Sequence, residues 1–511
     1  MPEKKDSSRH KPPCKVCGKP SGRMPNNCDE CSLALLNRLQ DEITNTPNSP
    51  VNLGLDDLGN MERLVLRYGE TFRYTRAVGW LYWDKTHWQI DETGRINEAS
   101  YEVARRIRGE TVKVKGTTKE DEAIREEIRR WCKVSKSAAR LKAMVSLAES
   151  DSTVSTRIDS FDQDANLFNC TSGTINLTTL EIFPHDPKQL LTNCSPVAYS
   201  PDAQCPRWKR FVLEIMDGNQ QMADFLRRAV GYSLTGETGE HCLFILWGSG
   251  SNGKTTFIEV LRHVWGTYAR AADFQTFMAK KWGPQGGPSS DIAKLRGARF
   301  VSATEGEDGQ KLAESLIKQI TGGDTISACL KFKEPFEFLP QLKLWLSTNH
   351  KPQIVGTDEG IWRRIRLILF NVRFTKDETL AAILKAEAPG ILRWAMEGLK
   401  QWREHGLMEP SEVLNATTDY RAEEDIILRF ISEECETDPA YKSPARKLYE
   451  KFKDWAKNNH EIELSERKFT DGLKEHGYKK LPRTKHGVVY QGLRCISEFF
   501  QENSMNDVDA L

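Results

Sequence analysis

Residues 245–261 read ILWGSGSNGKTTFIEVL. The run from Cys242 to Trp247 has the apolar composition of a buried strand, and Thr255 to Trp265 carry apolar residues at helical spacing. Between them the pattern Gly-x-x-x-x-Gly-Lys-Thr runs from Gly248 to Thr255. Strand, glycine loop and helix in that order make a phosphate cradle. Gly248, Gly250 and Gly253, with Ser249, Ser251 and Asn252 between them, let backbone N–H groups turn toward phosphate oxygens. Lys254 is placed to reach the β- and γ-phosphates, and Thr255 to hold Mg²⁺ through its hydroxyl, with Thr256 beside it. ATP and Mg²⁺ are the expected cofactors.

Outward from this loop, residues 206–374 alternate apolar strands with helices, the pattern of an α/β nucleotide-binding domain. A phosphate loop needs an acid on its metal side. ARFVSATEGED, residues 298–308, is a short strand ending in Glu305, Glu307 and Asp308. One carboxylate is expected to orient Mg²⁺ and another to polarise the attacking water. A third strand, LKLWLSTN, ends at Asn349, where a polar side chain can sense the γ-phosphate. Beyond it lie Arg363, Arg364 and Arg366, and an arginine here could reach a neighbouring subunit's nucleotide.

GSGSNGKTT (248–256), the segment from Thr304 to Phe338, LWLSTNHKP (344–352) and GTDEGIWRRIRLILF (356–370) resemble superfamily 3 helicases. The resemblance is closest to the helicase half of phage and plasmid primase-helicases, related to the poxvirus helicase-primase. It covers residues 58–495 and is most specific over 206–405. It implies a hexameric ring ATPase on an AAA+-like core that tracks single-stranded DNA 3′ to 5′. By that resemblance Lys254 and Thr255 match the Walker A residues, Glu305 and Glu307 the Walker B acids, and Asn349 the first sensor. Arg363 matches the trans-acting finger, with Arg364 second. Relatives often carry a polymerase-like primase domain in front. Only about 57 residues precede the helicase-associated region here, so no primase activity is expected of this chain.

DNA contacts are expected in two places. The alternation in TISACLKFKEPFEF suggests a hairpin with Lys331 and Lys333 near its tip. In this superfamily the corresponding hairpin enters the ring channel, where lysines grip phosphate without reading bases. From Lys442 to Arg494 there are 14 Lys/Arg against 7 Asp/Glu, in a chain whose net charge is only +1. Over residues 421–494, three helices and two strands about RTKHG suggest a winged helix, one helix starting at Ser443-Pro444 and the next at Ser465. Arg467, Lys468 and Lys474 would face DNA from the helix, and Arg483 and Lys485 from the wing. The aromatic hairpin GWLYWDKTHWQI is read as a small sheet core rather than a base-stacking platform.

Cys14, Cys17, Cys28 and Cys31 form two CxxC pairs, a spacing suited to tetrahedral structural Zn²⁺. The remaining cysteines are scattered, which argues against a disulfide framework. No window reaches the length of a membrane span, and MPEKKDSSRHKPP lacks the apolar core of a secretory signal, so a cytoplasmic location in a bacterial host is expected.

The expected fold class is multidomain α/β. It comprises a tail and zinc module (1–34), a linker (35–57), a mainly helical domain with a small sheet (58–205), an AAA+-like P-loop ATPase core (206–409), a winged helix (421–495) and an acidic tail (496–511). The expected function is a replicative DNA helicase of a phage, prophage or mobile element, a homo-oligomer acting on single-stranded and forked DNA. A separate primase or initiator is a possible partner, and no membrane is expected. A DNA-melting initiator and a non-catalytic DNA-binding scaffold are the alternatives.

Overall fold

The computed structural model describes residues 53–279, 290–304, 306, 309–331, 333–354, 359–459, 461, 463–482 and 488–496. The chain divides into two compact units. One is built from the described residues up to Tyr74 and Asp91–Thr156, the other from Thr75–Ile90 and the described residues from Arg157 onward.

The first unit is helical. Its helices are α1 (Asp57–Tyr68), α2 (Arg95–Arg106), α3 (Lys119–Val134) and α4 (Ala138–Ala148), and strand β1 (Phe72–Thr75) runs to its boundary. Asp56 caps α1 by accepting the Gly59 N–H at 2.7 Å. Thr118 and Asp121 form a reciprocal capping box at the start of α3. Ile107, Ile128 and Cys132 form an apolar cluster, and Arg63 is buried with Glu110, which it grips at 2.8 Å through both Nε and Nη2.

In the second unit, β2 (Gly79–Trp83) and β3 (Trp88–Ile90) form the aromatic hairpin. β4 (Leu167–Cys170), β5 (Gly173–Asn176) and β6 (Ile182–Phe183) form a small antiparallel sheet. The sequence groups the hairpin with the helices around it. The structure groups it with residues from Arg157 onward, because the buried Trp88 belongs to that core. Its backbone N–H donates to Leu191 O at 2.8 Å, its indole N–H to Pro187 O at 2.9 Å, and its ring meets Phe161 edge-on. These contacts join residues 73 to 103 positions apart, which no local pattern encodes.

Two helices, α5 (Pro206–Ile215) and α6 (Gln220–Tyr232), lead into an all-parallel sheet of β7 (Leu243–Trp247), β8 (Ala269–Asp273), β9 (Phe300–Thr304), β12 (Lys343–Thr348) and β13 (Ile365–Leu369). Its spatial order is β13-β7-β12-β9-β8. β7, β9, β12 and β13 are largely buried apolar runs, as expected of a parallel sheet covered on both faces, whereas the edge strand β8 is partly exposed. Helix α7 (Lys254–Trp265) follows β7, and the one-turn α8 (Ser290–Ala293) precedes β9. Helix α9 (Glu314–Gly322) and the antiparallel hairpin of β10 (Ile326–Ala328) and β11 (Phe336–Phe338) are inserted between β9 and β12. The one-turn α10 (Glu359–Trp362) precedes β13, and α11 (Leu380–Ala386), α12 (Ala388–His405) and α13 (Ser411–Glu424) follow it.

Helices α6 and α12 approach backbone to backbone. A Cβ on Gly398 would lie 2.0 Å from Arg227 O, and one on Gly231 2.1 Å from Leu399 N. Gly398→Ala should therefore cost about 1–3 kcal/mol of stability through overpacking. Denaturant titration would read this as a lowered midpoint, and an unchanged midpoint would contradict the close crossing.

The C-terminal part of the second unit contains α14 (Ile426–Glu434), β14 (Cys435–Pro444), α15 (Ala445–Asn458), α16 (Glu466–Glu475), β15 (Lys479–Lys480) and β16 (Val489–Cys495). Phe430, Phe452, Trp455 and Phe469 pack at its centre. Its sheet order is β14-β16-β15, one strand more than the sequence reading places there. Ser465 caps α16 through the Lys468 N–H as expected, and Gly477 stops it at a φ of +83°. The cap expected from Ser443 does not form. Ser443 is held in β14 opposite Tyr490, and α15 begins only after Pro444, without a side-chain cap.

Candidate functional site

β7 lies inside the sheet between β13 and β12, neither of them its neighbour in sequence. In open α/β sheets, ligands bind beyond the carboxyl ends of strands at such a switch point. The loop 248–253 leaves β7 there. Gly250 and Gly253 adopt φ values of +102° and +89°, and Ser251 +51°. At Gly253 a Cβ would meet Ile215 Cγ2 at 2.5 Å, so this position tolerates no side chain. The loop is anchored from beyond β13: Asn252 Nδ2 donates to Phe370 O at 3.1 Å, and the Phe374 N–H donates to Ser251 O at 2.7 Å.

Lys254 opens α7 with its side chain buried. Its ammonium donates to Gly248 O at 2.6 Å, Asn252 Oδ1 at 3.2 Å and Asn349 Oδ1 at 3.2 Å. The last contact joins two sequence-predicted residues that lie 95 positions apart. It forms because β12 pairs with β7 in parallel, with Thr348 opposite Trp247. Thr348 then accepts the His350 N–H at 3.1 Å and donates to His350 O at 2.6 Å, which fixes the turn that carries Asn349. Thr255 and Asn349 are exposed, and Thr256 is half-buried. The cradle thus fits a polyphosphate: an open loop, an exposed hydroxyl and a buried cation with neutral acceptors.

Burial pushes the Lys254 amino group down to about 8. Phosphate charge beside it would favour the ammonium and raise it again. Binding of the Mg²⁺–ATP complex at about pH 9 should therefore take up a proton, and uptake should be smaller at about pH 7, where the amine is already mostly charged. Calorimetry in buffers of different ionisation enthalpy reads this uptake. A binding enthalpy independent of buffer at the alkaline pH would contradict it.

Strand β9 ends at Thr304, paired with Ser347 of β12. Glu305, Glu307 and Asp308 follow it directly and lie outside the described residues. Arg363 is exposed, on a groove of about 300 Å³ shared with Trp362, Arg366 and Leu414. Arg364 instead turns inward: it is buried, with Nε on Thr321 Oγ1 at 3.0 Å and Nη1 on Gly360 O. Its guanidinium is committed within its own chain. Lys331 and Lys333 are exposed on the turn between β10 and β11. Beneath them Ile326, Ala328, Phe336 and Phe338 are buried while Ser327 and Glu337 face out, the alternation that the sequence predicts. Arg467, Lys468 and Lys474 are exposed on α16. Arg483, Lys485 and the cysteines Cys14, Cys17, Cys28 and Cys31 lie outside the described residues. Among the described residues no group of three or more His, Cys, Asp and Glu could hold a metal, and no helix is long and apolar enough to cross a membrane.

Three family profiles match along the chain. Residues 61–217 match the family described as D5 N terminal like, 246–364 a family of unknown function, and 422–507 the poxvirus D5 protein-like family. "Putative helicase L207/L206" of Acanthamoeba polyphaga mimivirus is 26% identical over 299 residues, 54% of this chain and 31% of the viral protein. "Putative helicase 022R" of Frog virus 3 is 26% identical over 259 residues, 46% of this chain and 26% of its own. The chain is thus similar to D5-like proteins and to viral proteins named as putative helicases. It spans about a third or less of the length of these curated relatives. Among solved structures, the apo C-terminal region of NrS-1 overlays 58% of this chain and 77% of its own at 11% identity and a TM-score of 0.36. The fold described here stands on the sheet order above, independent of that partial overlay.

One part of the site escapes the sequence. Lys351, two residues past Asn349, places its ammonium 5.0 Å from the ring centre of Trp247, the residue before the phosphate loop. The same ammonium lies 5.3 Å from the Tyr420 ring and 2.5 Å from Glu423, both on α13. Glu424 accepts the Ile354 N–H at 3.1 Å. Asp425 then caps α14 and meets His476, the residue just past α16, at 2.8 Å. A continuous set of contacts thus runs from the end of β7 to the C-terminal helices. A lone lysine after a strand carries no signal for this, since its partners come from two distant elements.

Proposed function

We propose that this chain is the motor of an ATP-driven replicative DNA helicase, acting as a ring and moving 3′ to 5′ on single-stranded DNA. The contact between Lys254 and Asn349 carries the reading: it joins a phosphate-binding cation to a polar strand-end side chain at the switch point of a parallel sheet. Lys254 would hold the β- and γ-phosphate oxygens and Asn349 would position the attacking water. Thr255, with Glu305 or Glu307, would hold Mg²⁺, which would supply positive charge to offset that of the phosphates. The exposed Arg363 would reach the nucleotide of an adjacent subunit, and the buried Arg364 would brace it. Lys331 and Lys333 would grip the DNA backbone, and the C-terminal helices and sheet, read as a winged helix, would hold DNA through α16. The four N-terminal cysteines would bind one structural Zn²⁺.

A forked substrate with defined 3′ and 5′ tails tests this reading, with negative-stain imaging of the same preparation. Rings and Mg²⁺–ATP-dependent unwinding of forks with a 3′ tail are expected. Hydrolysis and DNA binding without strand displacement would point instead to an initiator that melts DNA, and absence of both to a scaffold.

A further inference from the structure

Residues 105–119 of the first unit, RRIRGETVKVKGTTK, carry six cationic side chains and one acid. Arg105, Arg106, Arg108, Lys115 and Lys119 are exposed, and Lys113 is half-buried. The acid, Glu110, faces inward, where both carboxylate oxygens are bound by Arg63 at 2.8 Å. Glu102 on α2 pairs with Arg106 and accepts the Tyr68 hydroxyl at 2.6 Å. Asp121 is used in the α3 capping box, and Glu122 by Arg125 and Arg129. Glu98 and Glu120 are the other exposed acids beside this segment, two carboxylates against its six cations.

The fold also brings like charges together. Arg67 of α1 is held below the ordinary arginine range by burial and then by the Arg106 charge. Lys113 is lowered by burial, with Arg67 adding to the effect against the opposing pull of Glu110. Helix electrostatics explain only part of the arrangement. Arg105 and Arg106 lie in the last turn of α2, where cations suit the dipole. Lys119 is the first residue of α3, where a cation is disfavoured. Lys113 ends a short 3-10 helix, Ile107–Lys113, where a cation suits the helix end, whereas Arg108 lies in its first turn and Lys115 beyond it. Tyr101, 44% exposed, sits one helical turn before Arg105 on the same face of α2.

We propose that this face binds the phosphate backbone of single-stranded nucleic acid, with Tyr101 as a stacking surface, as a contact additional to the β10–β11 hairpin. Cations gathered on a rigid helical scaffold with an aromatic ring alongside are what sequence-independent strand binding uses. The proposal rests on the helicase reading only in taking nucleic acid, rather than another polyanion, as the partner.

The test uses the full chain carrying Arg105→Glu, Arg108→Glu, Lys115→Glu and Lys119→Glu together, titrated with a fluorescent oligothymidylate. Loss of four phosphate contacts should weaken binding at least about tenfold and reduce the slope of log Kd against log salt by about 3. Tyr101→Ala should weaken binding several-fold, about 1 kcal/mol converted to affinity, and leave the salt slope unchanged. All substituted positions are exposed, and thermal midpoint and basal ATP hydrolysis should be retained. Wild-type affinity and slope in the fourfold variant would overturn the proposal. So would unchanged oligothymidylate binding together with lost binding to anionic phosphatidylserine vesicles. If the wild-type chain hydrolyses no ATP, the helicase reading fails while this titration still reads the face.

Discussion

Lys254→Ala is expected to abolish ATP hydrolysis while leaving the chain folded. The ammonium is buried where α7 begins, and its present partners are uncharged oxygens of Gly248, Asn252 and Asn349. Among the described residues these partners carry no charge, so the ammonium can act on phosphate. Removing one preorganised stabiliser of transition-state charge costs about 10²–10³ in rate, and here the lost group also orients the β- and γ-phosphates. The fold should survive, because burial already disfavours the charged form of Lys254. Single-turnover hydrolysis with enzyme in excess separates loss of chemistry from loss of affinity. A variant that turns over ATP at nearly the wild-type rate would remove Lys254 from the phosphates, and the assignment of the cradle with it.

Lys331→Ala combined with Lys333→Ala should give the opposite pattern. Both side chains are exposed on the hairpin turn between β9 and β12, whereas the phosphate contacts belong to the loop after β7. Basal hydrolysis should therefore persist. Stimulation by single-stranded DNA and fork unwinding should be lost, because nothing would transmit movement of the hairpin to the strand. The missing contacts are to phosphate, so the defect should be similar for every DNA sequence, and the salt slope shallower by about 1.4 for two single-strand contacts. Fork unwinding at the wild-type rate would mean that DNA is gripped elsewhere.

The parts of this molecule legible in the sequence are those whose partners are close along the chain or whose pattern is strict. The phosphate loop announces itself because only glycine-rich backbone makes that turn. The β10–β11 hairpin is readable from alternation over a few residues, and the start of α16 from Ser465. The pairing of Lys254 with Asn349 is legible only as an ordered series of strand ends; the structure supplies the adjacency of β7 and β12 that makes it a contact.

What escaped the sequence did so for identifiable reasons. β14 reads as a loop because CETDPAYKSP contains Asp438 and Pro439. It is a strand nonetheless, since its pairing with β16 shifts register between Thr437 and Lys442, and Pro439 falls within that irregularity, where no ladder N–H is required. Arg363 and Arg364 cannot be told apart by composition. Only the position of Thr321 on α9 shows that Arg364 turns inward. The Lys351 contacts with Trp247, Tyr420 and Glu423 likewise depend on elements that meet only in the folded chain.

The most direct test of the central claim is steady-state ATP hydrolysis by the purified full chain, with Mg²⁺, in the presence and absence of single-stranded DNA. The account predicts Mg²⁺-dependent hydrolysis that DNA accelerates severalfold and that salt suppresses as it displaces the strand. A folded protein that binds ATP but hydrolyses none, with or without DNA, would contradict it.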